Sequence, residues 1–476
     1  MNMLNSTPRI ILAALKGGSG KTIFSLGLTS AWRKKGYRVA PFKKGPDFID
    51  AGWLAFASGR PCYNLDSFLM SESQIIRSLL SNSVQADISL IEGNRGLFDG
   101  LDVNGYYSTA ELGKLTGSPV VLIADVTMAT RTIAALIMGC QKFDPDLNIA
   151  AVILNRVAGI RQKNLVKDSI ERYCGIPVIG SVPKLKKNAF PERHMGLVPH
   201  MESDHALKAV KWATSVVEEN LDLDIFLRIA NSAEPLPEMA SLGEEGSDTL
   251  QIPDPPRIGF IKDDSFWFYY PENITHLERL GAELVEINSI TDKELPELDA
   301  LYIGGGFPET KAKLLADNKR FRYSLNRMIE KGLPVYAECG GLIYLGESLH
   351  MNGHIYPMIG ALPLEFVMDE KPQGHGYTIL DVVGENPYYS VGEVIKGHEF
   401  HYSRAVITKP DEINSVFKVQ RGYGLDGERD GLLKKNLLAT YTHVHAGDNR
   451  IWGKNFFKVA LGYKEFVKKN TKPDTK

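Results

Sequence analysis

The run Lys16-Gly17-Gly18-Ser19-Gly20-Lys21-Thr22 constrains this chain more than any other stretch. Before it, Ile10-Ile11-Leu12-Ala13-Ala14-Leu15 is a continuous apolar run of strand length, and after it Ile23 to Lys35 carries helical patterning. A strand, a glycine-rich turn and a helix opening on Lys-Thr form the geometry that wraps a triphosphate. Successive N–H groups of such a turn point inward at an anion, and glycines let the backbone approach it. On this reading Lys16, Gly17, Gly18, Ser19, Gly20, Lys21 and Thr22 bind ATP. Lys21 reaches the terminal phosphates and the Thr22 hydroxyl ligates Mg²⁺. The alternative, an ordinary flexible Gly/Ser turn, is disfavoured by the flanking elements.

The apolar runs Arg38–Phe42, Ile88–Ile91, Val120–Ala124, Ala150–Leu154 and Val178–Val182 follow, separated by longer amphipathic stretches. Continuous apolar runs of this length indicate a parallel sheet covered by helices on both faces. Ligands of such sheets bind at the carboxyl ends of the strands, so residues just after each run are the informative ones. After the second run, Gly45-Pro46 forces a turn that presents Asp47 beside the phosphate loop. The third run ends in Glu92, with Asp99 shortly after, and strand-end carboxylates there are placed to hold Mg²⁺. For Asp47 and Asp99 turn chemistry is the alternative, whereas a Glu92 ending a buried run must find a partner. Asn155 closes the fifth run and has the donor and acceptor to read an adenine edge; a helix N-cap is the other reading.

Residues 232–256 lose periodicity and collect Pro, Glu, Ser and Gly, the composition of an exposed linker. It separates a domain at 7–231 from a second at 257–470. There the runs Arg257–Ile261, Glu283–Ile287 and Ala300–Ile303 lead into Gly304-Gly305-Gly306, whose backbone N–H groups suit an oxyanion hole. Next, Val335-Tyr336-Ala337-Glu338-Cys339-Gly340-Gly341-Leu342 has the strand, small-residue turn and helix of a nucleophile elbow. A helix N-terminus there is expected to lower the thiol pKa. Far downstream, Thr440-Tyr441-Thr442-His443-Val444-His445 presents histidines at a strand end. A lone elbow cysteine with a distant histidine is a thiolate–imidazolium pair; a buried structural cysteine is the alternative. Gly397 to Ser403 is either a pocket lining or an edge strand, and the aromatic run Phe266–Tyr270 is expected to be packing.

At 476 residues the chain exceeds a single core. Its 43% apolar and 24% charged content is that of a soluble globular protein, and a net charge of −2 argues against a nucleic-acid binder. No apolar run approaches the roughly 20 residues of a membrane helix. One basic residue before a strand-length run argues against a cleaved signal. Cys62, Cys140, Cys174 and Cys339 have neither metal-ligand nor disulfide spacing, which suits a reducing, cytoplasmic compartment.

Taken together, these motifs resemble the cobyrinic acid a,c-diamide synthase family over essentially the whole chain. The residues that carry the resemblance are Lys44 to Asp47, Gly59 to Asp66, Glu92 to Gly100, Ala337 to Leu342, Gly397 to Ser403 and Tyr441 to His445. Leu15 stands where the commoner phosphate loop has glycine, and the early Lys16 resembles the loop of dethiobiotin synthetases and partition ATPases. The resemblance implies an α/β fold with a phosphate-loop synthetase domain followed by a class I glutaminase domain. It implies Cys339 as nucleophile, His443 as its base, and Thr22, Asp47 and Glu92 as metal and phosphate ligands. Gly305, Gly306 and Gly340 are the implied oxyanion donors, and Phe48, Ile49 and Asp99 the substrate contacts. Phe48 departs from the tyrosine that many relatives carry, so any hydrogen bond from that hydroxyl is lost. The implied substrates are cobyrinic acid or a related tetrapyrrole polycarboxylate, L-glutamine and ATP, with Mg²⁺; the resemblance also allows a homodimer. Lys43, Lys44, Arg60 and Arg95 are candidate cations for the macrocycle's carboxylates. Nickel-sirohydrochlorin a,c-diamide synthesis is the nearest alternative, and a partition-type ATPase switch is one from another class.

Overall fold

A computed structural model describes residues 7–185, 192–193, 196–197, 206–237, 252–447 and 450–471. Of the expected linker, residues 238–251 lie outside the described residues. The chain divides into two compact units, Met1–Glu245 and Gly246–Lys476. Among the described residues no helix is long and apolar enough to cross a membrane.

The first unit is built on a seven-stranded sheet. Its strands are β1 (Arg9–Ala14), β2 (Val39–Lys44), β3 (Tyr63–Leu65), β4 (Ile88–Glu92), β5 (Val120–Asp125), β6 (Ile149–Val157) and β7 (Val178–Pro183), in the order β3-β2-β4-β1-β5-β6-β7. Every pairing is parallel. The six expected runs are all strands, displaced by one to a few residues at their ends. The seventh, β3, is only three residues long and lies at the sheet edge. It belongs to the Gly59 to Asp66 stretch, and its Asn64 amide donates to the carbonyls of Gly45 (2.7 Å) and Asp47 (3.1 Å). A residue at the edge of the sheet thereby holds the turn after β2.

Helix α1 (Lys21–Lys34) packs β1 against the helix Ala206–Asn220. Gly27 lets those two helices touch: a Cβ there would lie 2.4 Å from the Ala213 carbonyl oxygen. Helix α2 (Phe48–Ser58) begins at the carboxyl edge of the sheet, runs back, and ends at Gly59. Arg60 therefore lies at the far edge, where it donates to the Val84 carbonyl ahead of β4. This removes Arg60 from the candidate macrocycle contacts.

The second unit carries a ten-stranded mixed sheet. In order, its strands are Glu283–Ile287, Arg257–Ile261, Ala300–Ile303, Val335–Glu338, Leu437–Thr440, Arg429–Lys434, Ser415–Arg421, Gly374–Val382, Val394–His401 and His443–Val444. The first five run parallel; the rest are joined antiparallel. Thr440 and His443 are three residues apart in sequence yet lie on the fifth and tenth strands. Five strand spacings of about 4.8 Å would separate them by roughly 24 Å in a flat sheet, and three residues reach only about 10 Å. The antiparallel half must therefore roll over onto the parallel half. Within Gly397–Ser403, Gly397 and His398 are paired on both sides, whereas Ser403 opens a separate strand at the edge of a four-stranded sheet. Phe266–Tyr270 forms packing, with Phe266, Phe268 and Tyr270 buried.

The Gly27 contact predicts an asymmetry between two glycines. Gly27→Ala should lower the melting temperature, losing about 1–3 kcal/mol to overpacking against backbone. Gly139→Ala, in the helix Thr132–Phe143 with nothing within 4 Å of the added Cβ, should raise or preserve it. Thermal melts of both variants beside wild type measure this.

Candidate active sites

The turn from Lys16 to Gly20 departs from regular structure through Gly18 (φ 68°) and Gly20 (φ 97°). Only glycine holds such left-handed values cheaply. α1 begins with no side-chain cap and no acidic residue in its first turn, so its positive end is left for an anion. A Cβ on Gly17 or Gly18 would meet nothing within 4 Å, which marks the open face of the loop. Its closed face is braced: Ser19 Oγ donates to the Lys16 carbonyl (2.9 Å) and Asn155 Nδ2 donates to the Ser19 carbonyl (2.8 Å). Asn155 Oδ1 accepts from the Arg156 N–H, so the amide braces the loop, with one N–H and one oxygen lone pair not used by these two bonds. Arg156 donates to the Gly18 carbonyl and pairs with Asp125, which also lies 3.7 Å from the largely exposed Lys16. Asp125 and Arg156 went unremarked in the sequence, although both stand at the carboxyl ends of β5 and β6.

Beside this loop the sheet edge gathers buried charge. Lys43 Nζ donates to Asp50 Oδ2 (2.8 Å) and Glu92 Oε1 (2.9 Å), and Thr22 Oγ1 donates to the same Glu92 oxygen (3.0 Å). Burial works against the Lys43 charge, but Asp50, Glu92 and Asp47 outweigh it and raise its pKa. Lys43 is therefore an internal counter-ion, 1% exposed, and not a free cation for a substrate. Lys44 is buried too, and burial lowers its pKa. Arg95 lies exposed beside the loop, where its carbonyl accepts from Lys21 Nζ (2.6 Å). Burial and the Lys43 charge lower the Lys21 pKa. Asp47 caps α2 by accepting from the Asp50 N–H (2.9 Å). Burial of its carboxyl and the Asp50 charge push the pKa of Asp47 up to about 7. Burial also raises Glu92, whose Oε2 makes no hydrogen bond of normal geometry among the described residues.

A threonine hydroxyl and carboxylates form a hard oxygen donor set, suited to Mg²⁺. No group of three or more acidic, histidine or cysteine side chains makes a ready metal cage among the described residues. That fits a cation held by few protein ligands together with phosphate oxygens. Phe48 is buried at the start of α2, Ile49 is half-buried beside it, and the exposed Asp99 accepts from the Gly96 N–H (2.8 Å).

In the second unit the strand Val335–Glu338 ends at Cys339, whose φ of 46° and ψ of −98° lie outside the regions open to ordinary residues. A strained turn of this kind between strand and helix is the elbow that holds a nucleophile. Tight packing around it needs glycine: a Cβ on Gly341 would lie 2.6 Å from the Ile303 carbonyl, and one on Gly340 3.0 Å from the Gly306 nitrogen. A Cβ on Gly305 would lie 2.3 Å from His443 Cε1. Gly305, Gly306 and Gly340 thus come together with Cys339 and His443. Tyr269 props this corner, its hydroxyl accepting from the Gly304 N–H (2.8 Å) and donating to the Ile261 carbonyl. The rolled sheet brings the Phe400 carbonyl within 3.8 Å of Cys339 Sγ.

The expected lowering of the thiol pKa does not occur. Burial pushes Cys339 up and the charge of Glu309 adds to it, outweighing the Gly340 N–H, which acts the other way. His443 stacks on His398 at 4.9 Å, and its Nδ1 lies 3.4 Å from Glu338 Oε2. Burial, then the neighbouring His443, holds His398 well below the ordinary histidine range. His445 faces elsewhere, accepting from the Gly447 N–H and lying against the Tyr270 ring.

With this geometry in hand, comparison with known proteins places each unit. Residues 10–198 match the family described as the CobQ/CobB/MinD/ParA nucleotide binding domain, and residues 257–451 match the CobB/CobQ-like glutamine amidotransferase domain. The chain is 42% identical to the cobyrinate a,c-diamide synthase of Archaeoglobus fulgidus, covering 95% of this chain and 98% of that protein. It is 40% identical to that of Magnetococcus marinus, over 94% and 95% respectively. Among solved structures, a glutamine amidotransferase aligns with 43% of this chain and 98% of its own, at 20% identity and a TM-score of 0.33.

The raised Asp47 gives a prediction with a definite sign. Below the unfolded value of 3.8 both states are protonated. As pH rises toward about 7 the folded state holds its proton longer, and stability from this group is lost. Asp47→Asn keeps a capping oxygen without the charge. It should melt above wild type at about pH 8 and match it at about pH 3.5; an unchanged or lower melting temperature at the higher pH contradicts the shift.

Proposed function

Because this chain belongs to the cobyrinate a,c-diamide synthase family, we propose that it amidates the a and c side-chain carboxylates of cobyrinic acid, a step of cobalamin synthesis, using ATP and L-glutamine. One observation carries the reading. The same chain holds a phosphate loop beside a buried acid–lysine cluster and, in its other unit, a strained cysteine preceded by Glu338, whose carboxylate lies 3.4 Å from His443 Nδ1.

A carboxylate does not react with ammonia, since its leaving group is poor. We assign its activation to residues 7–231: a carboxylate oxygen attacks the γ-phosphorus of ATP, giving an acyl phosphate and ADP. The loop amides and Lys21 hold the phosphates, Lys16 offers a further exposed cation, and Asn155 with Arg156 keeps the loop in shape. Thr22, Asp47 and Glu92 would hold Mg²⁺, which supplies charge neutralisation for the transferring phosphoryl group. Ile49 and Asp99, with surface at that edge, are the proposed contacts to the macrocycle, and Phe48 backs them. Ammonia then displaces phosphate to leave the amide.

Residues 257–470 are assigned the supply of ammonia. Cys339 Sγ attacks the side-chain carbonyl of glutamine while its proton passes to His443. Backbone N–H groups at Gly305, Gly306 and Gly340 stabilise the oxyanion. Ammonia leaves with the proton from His443, and water hydrolyses the glutamyl thioester to glutamate. The partition-type alternative leaves both residues without a task. Free thiols and the use of ATP and glutamine suit a cytoplasmic enzyme. The homodimer remains part of this proposal, and light scattering on the purified chain reads it directly.

Incubation with cobyrinic acid, ATP, Mg²⁺ and either glutamine or ammonium chloride, followed by mass spectrometry, tests the function. Two carboxylates should become carboxamides with either nitrogen source. Cys339→Ser should abolish the glutamine-supported reaction, by about a thousandfold or more, and leave the ammonia-supported one. No amide on cobyrinic acid from either source sinks the substrate reading, as do amides formed on nickel-sirohydrochlorin alone.

A further inference from the structure

The Glu-Cys-Gly-Gly stretch contains a residue that the mechanism has not used. Glu338, the last residue of its strand, is 1% exposed and directly precedes the nucleophile. An acid so deeply buried needs partners, and three converge on it. Tyr302 Oη donates to Oε2 (3.1 Å), the Val444 N–H donates to Oε1 (3.2 Å), and His443 Nδ1 lies 3.4 Å from Oε2. Tyr302 is in turn fixed by the Asn273 amide (3.2 Å), whose second donation goes to the Val444 carbonyl (2.9 Å). One oxygen of Glu338 thus holds the backbone of the strand that carries His443, while the other faces the imidazole. On that strand itself the residues beside the histidine are Thr442, Val444 and His445, none of them acidic.

We propose that Glu338 is the positioning residue of the glutaminase, accepting from His443 Nδ1–H and so fixing the tautomer in which Nε2 is unprotonated and can take the Cys339 proton. This rests on the Cys339–His443 glutaminase reading and completes it with an acid drawn from the nucleophile's own strand. With Nδ1 protonated, the S–H proton passes to Nε2 as the sulfur–carbon bond forms. The same proton returns to the departing nitrogen as the carbon–nitrogen bond breaks, releasing ammonia. Between those events the imidazolium is paired with the carboxylate, which lowers the barrier to a proton transfer that burial of the thiol makes costly. The strained elbow makes the arrangement possible. It turns Cys339 away from the regular alternation of the strand, so consecutive residues serve the same histidine, one through sulfur and one through a carboxylate.

Glutamine-supported and ammonia-supported amidation, measured side by side in the full chain, separate a positioning acid from a structural one, because added ammonia bypasses both Cys339 and His443. In Glu338→Gln the amide oxygen can still accept from the Val444 N–H, while the NH2 stands where Oε2 was, faces Tyr302 Oη and His443 Nδ1 as a donor, and so favours the unproductive tautomer. Glutamine-supported kcat should fall by about a hundredfold or more with KM for glutamine nearly unchanged, since loss of the orienting acid in a Ser–His–Asp hydrolase costs about 10⁴. Ammonia-supported turnover should stay within about twofold. Glu338→Asp, which restores a carboxylate on a shorter stem, should recover part of the loss. Three results overturn the proposal: glutamine-supported kcat within about threefold of wild type in Glu338→Gln, a rise in KM alone, or equal loss of both activities in both variants. Cys339→Ser run in parallel keeps the two claims apart. If that variant retains glutamine-supported turnover, the glutaminase reading itself fails, whatever Glu338 does.

Discussion

The ammonium of Lys43, enclosed between Asp50 and Glu92, is the interaction on which the first unit's site depends. A parallel sheet gathers its strand ends and the helix starts that follow them at one edge, and here that edge holds three acids, Glu92 at the end of β4 and Asp47 and Asp50 at the start of α2. Without an internal cation they would repel one another and take up protons, and Asp47 and Glu92 are already shifted that way. Lys43 offsets this from within the same edge, because β2 and β4 are neighbours with Lys43 in register with Glu92. Thr22 joins the cluster through Glu92, so the first turn of α1 is tied to the acids it works with. On the proposed reading this charged edge receives the polyphosphate of ATP and its Mg²⁺.

In the second unit the governing constraint is topological. The short span between Thr440 and His443 forces the sheet to roll, and rolling places His443, Phe400 and Cys339 in one corner. Burial there raises the thiol, and on the proposed reading His443 takes its proton. A cysteine activated before substrate arrives would react with whatever entered; one that loses its proton only as it attacks is spared this. The glycines at 305, 306, 340 and 341 allow the backbones to close on each other, and each has a neighbour that any side chain would strike.

Much of this was legible in the residues because parallel strands buried on both faces leave continuous apolar runs. The six runs of the first unit and the first strands of the second have that signature. β3 escaped notice because three residues after Pro61-Cys62 are too few to show a period. The antiparallel half of the second sheet was mostly unread for a different reason: its strands, such as Gly374–Val382, alternate between buried and half-buried positions and carry charge on the outer face. Among the proposed site residues, the loop, Cys339 and His443 stand out through local motif chemistry. The burial of Lys43 is not legible because it depends on which neighbouring strand it meets, nor the place of Arg60, because the length of α2 decides the edge it reaches. Glu338 was hidden beside a louder neighbour, its partners lying on strands 36 residues before it and about a hundred after it.

The central claim is that the phosphate loop serves amide synthesis through an acyl phosphate. Cobyrinic acid labelled with ¹⁸O in its carboxylates, turned over with ATP and glutamine, tests this most directly by mass analysis of the phosphate released. An acyl phosphate carries one carboxylate oxygen into phosphate for each amide formed, so the phosphate should become labelled in step with amidation. Unlabelled phosphate alongside full amidation would contradict the account, because ATP would then be cleaved without ever bonding to the carboxylate.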